Sequence, residues 1–308
     1  MFYFRAYGQF VESELALPEF PAISEKERRT TKPDVRILLR TLPPIPVEER
    51  NAGAFRVRDG AVDFEIEGTV RIRVASADCI EVDLIDPKRV REARLFVTGS
   101  AFGAWAYQRR RIPFHCGLVT KRDLGFAITG PSGVGKSTLT TALVESGYGF
   151  MSDDVVVFGT SLNGDIAITP SFPRIKLWQD AADYLSIETT ALGRLHRDMD
   201  KFHVPFPPER VTESARLAAV FCLRFDDACD APSACRLSLA DAMRALRANI
   251  YRPTLAPALG LEDVAFNLIA AILQKVPVIE LVRPRDFGAF DSTIEVFDHE
   301  VDRLLHSA

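Results

Sequence analysis

Residues 126–147 read FAITGPSGVGKSTLTTALVESG and decide the fold of this chain. A short apolar strand precedes a GxxxxGKS loop, and an amphipathic segment follows the loop. Leu139, Ala142 and Leu143 form an i, i+3, i+4 stripe that predicts a helix, and Gly147 stands where a glycine commonly ends one. Strand, glycine loop and helix in this order predict an α/β protein that holds a nucleoside triphosphate.

The loop contains the residue types that a triphosphate requires. Its glycines leave room for backbone N–H groups to turn inward around the β-phosphate. Lys136 is expected to reach the β- and γ-phosphates, and the Ser137 hydroxyl is placed to ligate Mg²⁺ at the start of a helix whose dipole favours anions. The alternative is a chance match in a glycine-rich turn, and the flanking strand and helix argue against it. The residues predicted to bind ATP are Gly130, Ser132, Gly133, Val134, Gly135, Lys136, Ser137 and Thr138.

An acidic pair follows the loop after one helix and a short turn at residues 148–152. Asp153 and Asp154 open the apolar run 155–158, which predicts a strand, and at a strand's first residues both carboxylates can approach one site. Two carboxylates suggest two functions. One would hold Mg²⁺, and the other would accept a proton from an attacking hydroxyl, as in phosphoryl transfer to an alcohol. The alternative is that one or both cap a turn.

Basic residues flank this predicted site. Arg174 and Lys176 alternate with apolar residues in RIKLW, which predicts a short strand with both cations on one face. Beside a triphosphate they would neutralise transition-state charge, whereas at a solvent surface they would be ordinary cations. The run 109–111 is RRR and would attract an anionic partner, although short charge runs are usually solvated. His115 is either a catalytic residue or a core histidine that a backbone carbonyl satisfies.

Composition limits the remaining function classes. A chain of 308 residues with a net charge of −4 has no overall basic footprint for nucleic acid. Its five cysteines are odd in number and form no CxxC pair, which predicts thiols in a reducing cytosol. Polar residues and a proline interrupt the most apolar segment, 264–282, so a buried helix and strand are favoured over a membrane span. We expect a cytoplasmic protein without nucleic-acid or membrane partners, and a homo-oligomer stays open.

The chain divides near residue 110. Alternating patterns predict strands within residues 1–20 and 54–98, and we predict an N-terminal α+β domain at 1–110 followed by a phosphate-loop catalytic domain at 111–308. Helical patterns in the first half lie at 88–92 and 100–109. The second half is predicted to contain strands at 155–158, 166–168, 218–225 and 278–282, and helices at 179–184, 239–249, 261–274 and 292–305.

Several of these motifs resemble those of a known family. The loop GPSGVGKS, the Gly147-Tyr148 pair and Ser152-Asp153-Asp154 are similar to the HPr serine kinase-like family. The segment RIPFHCGLV is similar to the His-containing strand that precedes the loop in that family. The glycine loop alone is not specific, and its combination with the acidic pair and the upstream histidine is more so. Further similar segments, at residues 7–8, 13–18, 172–178, 276–278 and 283–286, extend the resemblance over nearly the whole chain.

The resemblance implies a fold related to phosphoenolpyruvate carboxykinase around the loop, and transfer of the ATP γ-phosphate to a serine hydroxyl. By position it implies that Asp153 is the base and that Asp154 with Ser137 ligates Mg²⁺, an assignment in which the two aspartates can be exchanged. The predicted catalytic residues are Asp153, Lys136, Arg174, Lys176 and His115, with Lys201 and His203 as further candidates; the predicted metal ligands are Ser137 and Asp154.

In overall layout the chain is most similar to the kinases of lasso-peptide gene clusters, which phosphorylate the C-terminal serine of a precursor peptide. It departs from bacterial HPr kinase in its first hundred residues and in lacking that enzyme's second Gly-rich signature. The resemblance implies an ATP- and Mg²⁺-dependent kinase that acts on a serine of a peptide or protein, most concretely a lasso precursor. Two alternatives stay open: a kinase of a small hydroxylated metabolite, and a nucleotide-sensing regulatory protein with little transfer activity.

Overall fold

The computed structural model describes residues 1–50, 55–161, 163–196 and 199–307. Over these residues the chain is a mixed α/β protein with three sheets. The strands are β1 Phe2–Ala6, β2 Gln9–Ser13, β3 Val35–Leu39, β4 Phe55–Arg58, β5 Ala61–Ile66, β6 Val70–Ser76, β7 Cys79–Leu84, β8 Pro113–Lys121, β9 Leu124–Thr129, β10 Gly149–Ser152, β11 Val155–Thr160, β12 Ile166–Thr169, β13 Arg174–Trp178, β14 Arg194–His196, β15 Met199–Pro205, β16 Arg216–Phe225, β17 Ser233–Arg236 and β18 Val278–Arg283. The helices are α1 Glu25–Thr30, α2 Val90–Phe96, α3 Phe102–Gln108, α4 Lys136–Glu145, α5 Gln179–Tyr184, α6 Leu239–Ala248, α7 Leu255–Ala258, α8 Glu262–Lys275 and α9 Phe290–Ser307, with a π-helical turn at Val97–Ala101 between α2 and α3.

The first half of the chain builds a seven-stranded sheet in the order β1-β2-β3-β7-β6-β5-β4. Strands β4 to β7 form an antiparallel meander, and β3 pairs in parallel with both β2 and β7. Helix α3 packs on this sheet, since the Trp105 indole N–H donates to the Ala77 carbonyl at 2.8 Å. The Tyr107 hydroxyl donates to the Tyr251 carbonyl at 2.8 Å, which ties α3 to the second half of the chain.

The second half builds an eight-stranded sheet that positions the candidate site. Its order is β10-β8-β11-β12-β16-β18-β17, and β9 pairs with both β8 and β16. Strands β9, β16 and β18 are parallel, so their carboxyl ends meet at one edge of the sheet. Ligands of α/β proteins bind at that edge. The phosphate loop leaves β9 there and leads into α4.

The acidic pair lies at an interruption beside β8. Strand β10 pairs antiparallel with residues 118–120 of β8, and β11 pairs antiparallel with residues 113–115, so Asp153 and Asp154 fill the gap between two strands on the same side of β8. Asp154 has φ 72°, in the left-handed region. Such interruptions redirect side chains away from the regular alternation of a strand. The turn predicted at 148–152 is wrong, because residues 149–152 form β10.

A third sheet, in the order β13-β15-β14, covers one side of the site. Lys176 pairs with His203 and Trp178 with Lys201 across β13 and β15, so their side chains share one face. The opposite face is apolar and buried: Ile175, Leu177, Phe202 and Val204.

Most predicted elements of the second half are confirmed. Strands β11, β12, β16 and β18 and helices α5, α6, α8 and α9 agree with the predicted ranges to within two residues at each end. The helix predicted at 100–109 is α3, with the π-helical turn at its start. The strands that the sequence pattern did not predict are short or charged: β3, β10, β14, β15 and β17.

The predicted boundary at residues 110–111 lies between α3 and β8. One hydrophobic cluster contains residues from both sides of it, among them Phe4, Trp105 and Phe114. The two halves therefore share core contacts, and their division into separate domains stays a prediction. None of the described helices is long and apolar enough to cross a membrane.

Candidate active site

The phosphate loop is held in a conformation that needs glycine. Gly130 has φ 142°, and a Cβ there would collide with the Leu223 carbonyl oxygen. Gly135 has φ 95°, and a Cβ there would lie 2.9 Å from an Arg283 nitrogen. Gly147 N–H donates to Val144 and the next N–H to Leu143, which ends α4 as the sequence predicts. The loop thus has the tight, glycine-dependent backbone that a cradle for a polyphosphate requires.

Lys136 lies over this cradle. Its ammonium group donates to the carbonyls of Gly130 at 2.9 Å and Pro131 at 3.0 Å. Burial lowers the pKa of Lys136. The cation is therefore held by loop carbonyls, and Lys136 lines the cleft.

Ser137 and Asp153 form the contact that links the loop to the acidic pair. The Ser137 hydroxyl donates to Asp153 Oδ1 at 3.1 Å, and the Lys176 backbone N–H donates to Asp153 Oδ2 at 3.1 Å. Asp153 is 5% exposed. Burial, and then the neighbouring charge of Asp154, raise its pKa. The carboxylate and the hydroxyl together present oxygen atoms of the kind that bind hard cations.

Asp154 has different partners. Its Oδ1 lies 3.0 Å from His115 Nδ1, and its Oδ2 forms an ion pair with the Lys176 ammonium group. Burial alone would raise the pKa of Asp154, but Lys176 and His115 lower it well below the usual value. Because an ionised carboxylate only accepts hydrogen bonds, His115 Nδ1 carries the proton of this contact. The two carboxylates therefore have different partners, and Asp154, the residue before β11, has a left-handed backbone.

These contacts bear on the assignment of the two aspartates. Ser137 contacts Asp153, and Asp154 is engaged by a histidine and a lysine. The contact with Ser137 thus belongs to Asp153 and not to Asp154, and the roles of base and metal ligand for the two aspartates stay a prediction. Ser137 and Asp153 offer hard oxygen donors, which Mg²⁺ prefers, and kinases complete such a site with substrate phosphates. Over the residues that the structure describes, no group of three or more His, Cys, Asp or Glu side chains forms a metal site.

The cleft at the carboxyl edge of the sheet has a volume of about 390 Å³. It brings together most of the predicted site residues, from the loop, the acidic pair and the third sheet. Its described lining is His115, Ser132, Gly133, Gly135, Lys136, Ser137, Thr138, Asp153, Asp154, Lys176, Leu177, Trp178, Asp180, Ala181, Lys201, Phe225, Arg283 and Arg285.

Some predicted residues lie outside this lining. Arg174 lies two residues before Lys176 in β13. Its guanidinium donates to the Pro18 carbonyl at 2.7 Å and does not line the cleft. Val134 is buried in the loop, and it lines a neighbouring cavity together with Pro131. The catalytic role of Arg174 stays a prediction that these contacts do not support.

Sequence reasoning missed one end of the cleft. Phe225 and Arg283 are the last residues of β16 and β18, and Arg285 follows β18. Both strands are predicted from their apolar runs, but the runs do not reveal that β16 is the parallel neighbour of β9 and that β18 is the parallel neighbour of β16. Without that adjacency nothing in the sequence joins residues 225 and 283 to the loop at 130–137.

His203 is buried beside Lys176, and its Nε2 has no hydrogen-bond partner in the described structure. Burial, with the charges of Lys176 and Arg174, lowers its pKa to about 3 from 6.5. The unfolded chain takes up the proton near pH 6.5 and the folded chain only near pH 3, so stability falls as pH drops between these values.

We expect the free energy of unfolding to depend less steeply on pH in His203→Asn than in the wild type, by up to about 1.4 kcal/mol per pH unit. Urea unfolding of the wild type and the variant between pH 7 and pH 4 measures the slope. The exposed His299 provides the control His299→Asn, which should leave the slope unchanged. Equal slopes for the wild type and His203→Asn would contradict the expectation.

Comparison with solved structures gives distant similarity, and comparison with families and curated proteins gives none. No known protein family matches the chain, and no curated protein matches it. Among solved structures, the chain is similar to the HPr(Ser) kinase/phosphatase from Coxiella burnetii, with 13% sequence identity and a TM-score of 0.36 over 63% of this chain and 93% of that one. A likeness this distant carries no information on activity or substrate. The roles of the site residues rest on the contacts within this chain.

Proposed function

We propose that this protein is an ATP- and Mg²⁺-dependent kinase that transfers the γ-phosphate to a serine hydroxyl of a peptide or protein. One observation carries the proposal. The phosphate loop contacts Asp153 through Ser137 in the same cleft in which Asp154 holds His115. A phosphate cradle, a hard-oxygen pair and an oriented histidine are the parts that phosphoryl transfer to an alcohol needs.

Ser137 and Asp153 are the residues that would hold Mg²⁺. When bound there, the ion would neutralise part of the charge on the phosphate oxygens of the nucleotide. Lys136, at the cradle, supplies a second positive charge to the same oxygens. Lys176 stands between the two carboxylates, with its backbone on Asp153 and its ammonium group on Asp154. It keeps the orientation of both while its charge faces the cleft.

His115 is the proposed proton acceptor. Its Nδ1–H is bound to Asp154, which leaves the Nε2 lone pair for the acceptor hydroxyl. The His115 side chain is 34% exposed and lines the cleft, so an incoming hydroxyl can reach it. In the transfer the hydroxyl proton moves to Nε2, the oxygen bonds to the γ-phosphorus and ADP leaves. Asp154 positions the ring and stabilises the imidazolium that forms.

The acceptor is proposed to approach along the third sheet. Trp178 is 45% exposed, and the Lys201 ammonium group lies 5.3 Å from its ring centroid. An apolar ring beside a cation suits an extended peptide that ends in a carboxylate. This supports an acceptor that is a peptide with a free C-terminal carboxylate. The C-terminal serine of a lasso-peptide precursor, which the sequence resemblance implies, is the most concrete substrate of this kind.

The test is mass spectrometry of acceptors after incubation with ATP and Mg²⁺. A peptide ending in serine, the same peptide with an amidated C-terminus, and small hydroxylated metabolites are compared, with Lys136→Ala as the inactive control. We expect a mass gain of one phosphate on the free-carboxylate peptide alone. A mass gain on a metabolite only would mean that the acceptor is a small molecule and not a peptide. ATP binding without gain on any acceptor would favour a regulatory protein and overturn the proposal.

A further inference from the structure

The cleft continues beyond the phosphate loop, away from the acidic pair. We call this part, formed by Phe225, Arg283 and Arg285, the Phe225 end. Cys222 of β16 pairs with Thr129 of β9, and Phe225 of β16 pairs with Arg283 of β18. Phe225 and Arg283 therefore lie beside the loop along the carboxyl edge of the sheet. The loop therefore has two sides. Asp153, Asp154 and His115 lie on the β8 and β11 side, and the Phe225 end lies on the β16 and β18 side.

Arg283 is a buried cation without a carboxylate. Its side chain belongs to a residue that is 3% exposed, and over the described residues no Asp or Glu oxygen lies within ion-pair distance of it and its Nε has no hydrogen-bond partner. Burial lowers its pKa. The guanidinium abuts the loop at Gly135 and lines the cleft. Its described contacts are a 3.4 Å hydrogen bond to the Pro284 carbonyl and the rings of Phe225 and Phe290, and none of them carries a negative charge. Because a buried charge without a counter-ion is costly, this arrangement is that of a site which an anionic ligand completes.

An aromatic surface adjoins this cation. The Arg283 and Arg285 guanidinium groups lie 4.6 Å and 4.7 Å from the Phe225 ring centroid. A second cavity of about 390 Å³ opens beside them and shares several residues with the cleft. Arg285 is exposed, and its ion pair with Asp227 is between two exposed side chains, so it can rearrange. Aromatic rings and guanidinium planes are the groups on which nucleobases stack. The cavity is lined by Pro131, Ser132, Gly133, Val134, Arg224, Phe225 and Arg285.

We propose that the Phe225 end binds the nucleoside end of the nucleotide. The base stacks on the Phe225 and Arg285 pair, and Arg283 binds the phosphates between the base and the loop. The γ-phosphate then points to the opposite side of the loop, toward Asp153 and His115. This orientation rests on the proposed function, since it requires that the loop binds a nucleotide.

Binding of Mg-ATP and of Mg-tripolyphosphate, measured by calorimetry, separates the two contributions. Phe225→Ala should weaken ATP binding by about tenfold and leave tripolyphosphate binding unchanged, because the inorganic ligand has no base. Arg283→Met should weaken both ligands by about tenfold, because both carry the anionic charge. The exposed residues Phe266 and Arg58 provide the matched controls Phe266→Ala and Arg58→Met, which should bind both ligands normally.

The unliganded melting temperature distinguishes an anion site from a structural role of Arg283. Removal of an unpaired buried cation should leave the unliganded Tm unchanged or raise it, whereas loss of a structural pin would lower it. If Arg283→Met does not fold, Arg283→Lys keeps the charge without the planar fork and should still weaken both ligands.

Unchanged ATP affinity in Phe225→Ala overturns the base site, and unchanged tripolyphosphate affinity in the Arg283 variants overturns the phosphate contact. A wild-type protein that binds neither ligand overturns the proposed function itself. A wild type that binds both ligands, with variants that bind as it does, leaves the proposed function standing and rejects only this orientation.

Discussion

Asp153→Asn is expected to lose Mg²⁺-dependent ATP binding and to slow transfer by about a thousandfold, equivalent to about 4 kcal/mol. Asp153 contacts Ser137 and is buried, so its charge is available to a cation at the loop. The amide keeps the shape of the side chain and removes that charge. Calorimetry of ATP binding with and without Mg²⁺, combined with single-turnover transfer, measures both effects.

The same variant decides between the two assignments of the acidic pair. If Asp153 were the base, Asp153→Asn would bind Mg-ATP normally and lose only transfer. The fold should tolerate the change, because burial and Asp154 already raise the pKa of Asp153 and the neutral amide removes that repulsion. An unliganded Tm at or above that of the wild type is expected. Asp59, whose side chain is 93% exposed, provides the control Asp59→Asn.

His115→Gln is expected to slow transfer by about a hundredfold to ten-thousandfold while ATP binding stays near normal. The reason is that His115 contacts Asp154 and the cleft but no residue of the phosphate loop within the described hydrogen bonds and ion pairs. Single-turnover kinetics at saturating ATP measure the transfer step separately from binding. The exposed His299 provides the matched control His299→Gln.

Asp154→Asn, alone and combined with His115→Gln in a double variant, extends this test. If Asp154 acts through His115, the double variant should be no slower than His115→Gln alone, because residues that act as a unit are not additive. Near-normal transfer by His115→Gln would remove the histidine from the mechanism and return the base to the acidic pair. Weak ATP binding by that variant would indicate that His115 supports the nucleotide site instead.

The phosphate loop was predictable from sequence because its signals are local. The glycine spacing, the apolar residues before it and the helical stripe after it lie within 22 consecutive residues, 126–147. The same holds for the strand after Asp154 and for the helices of the second half, whose apolar periodicity reports one buried face. The candidate residues Lys136, Ser137 and Lys176 accordingly lie in the cleft.

The division between the two aspartates was not predictable. It depends on the gap between β10 and β11, which only the pairing of both strands with β8 defines. Read as a turn followed by a strand, residues 148–158 place both carboxylates at one site without distinguishing them. The left-handed Asp154 and its distant partners His115 and Lys176 make the distinction.

The sequence by itself determined that this chain is an α/β protein with a phosphate loop, an acidic pair after it and a basic strand beyond that pair. Only the tertiary structure decided which carboxylate contacts Ser137, that Arg174 lies away from the cleft, and that Phe225 and Arg283 lie beside the loop. The physical reason is the distance along the chain over which each interaction acts. Propensity, periodicity and glycine spacing act between near neighbours along the chain, whereas strand order and burial bring together groups about 150 residues apart that no local pattern connects.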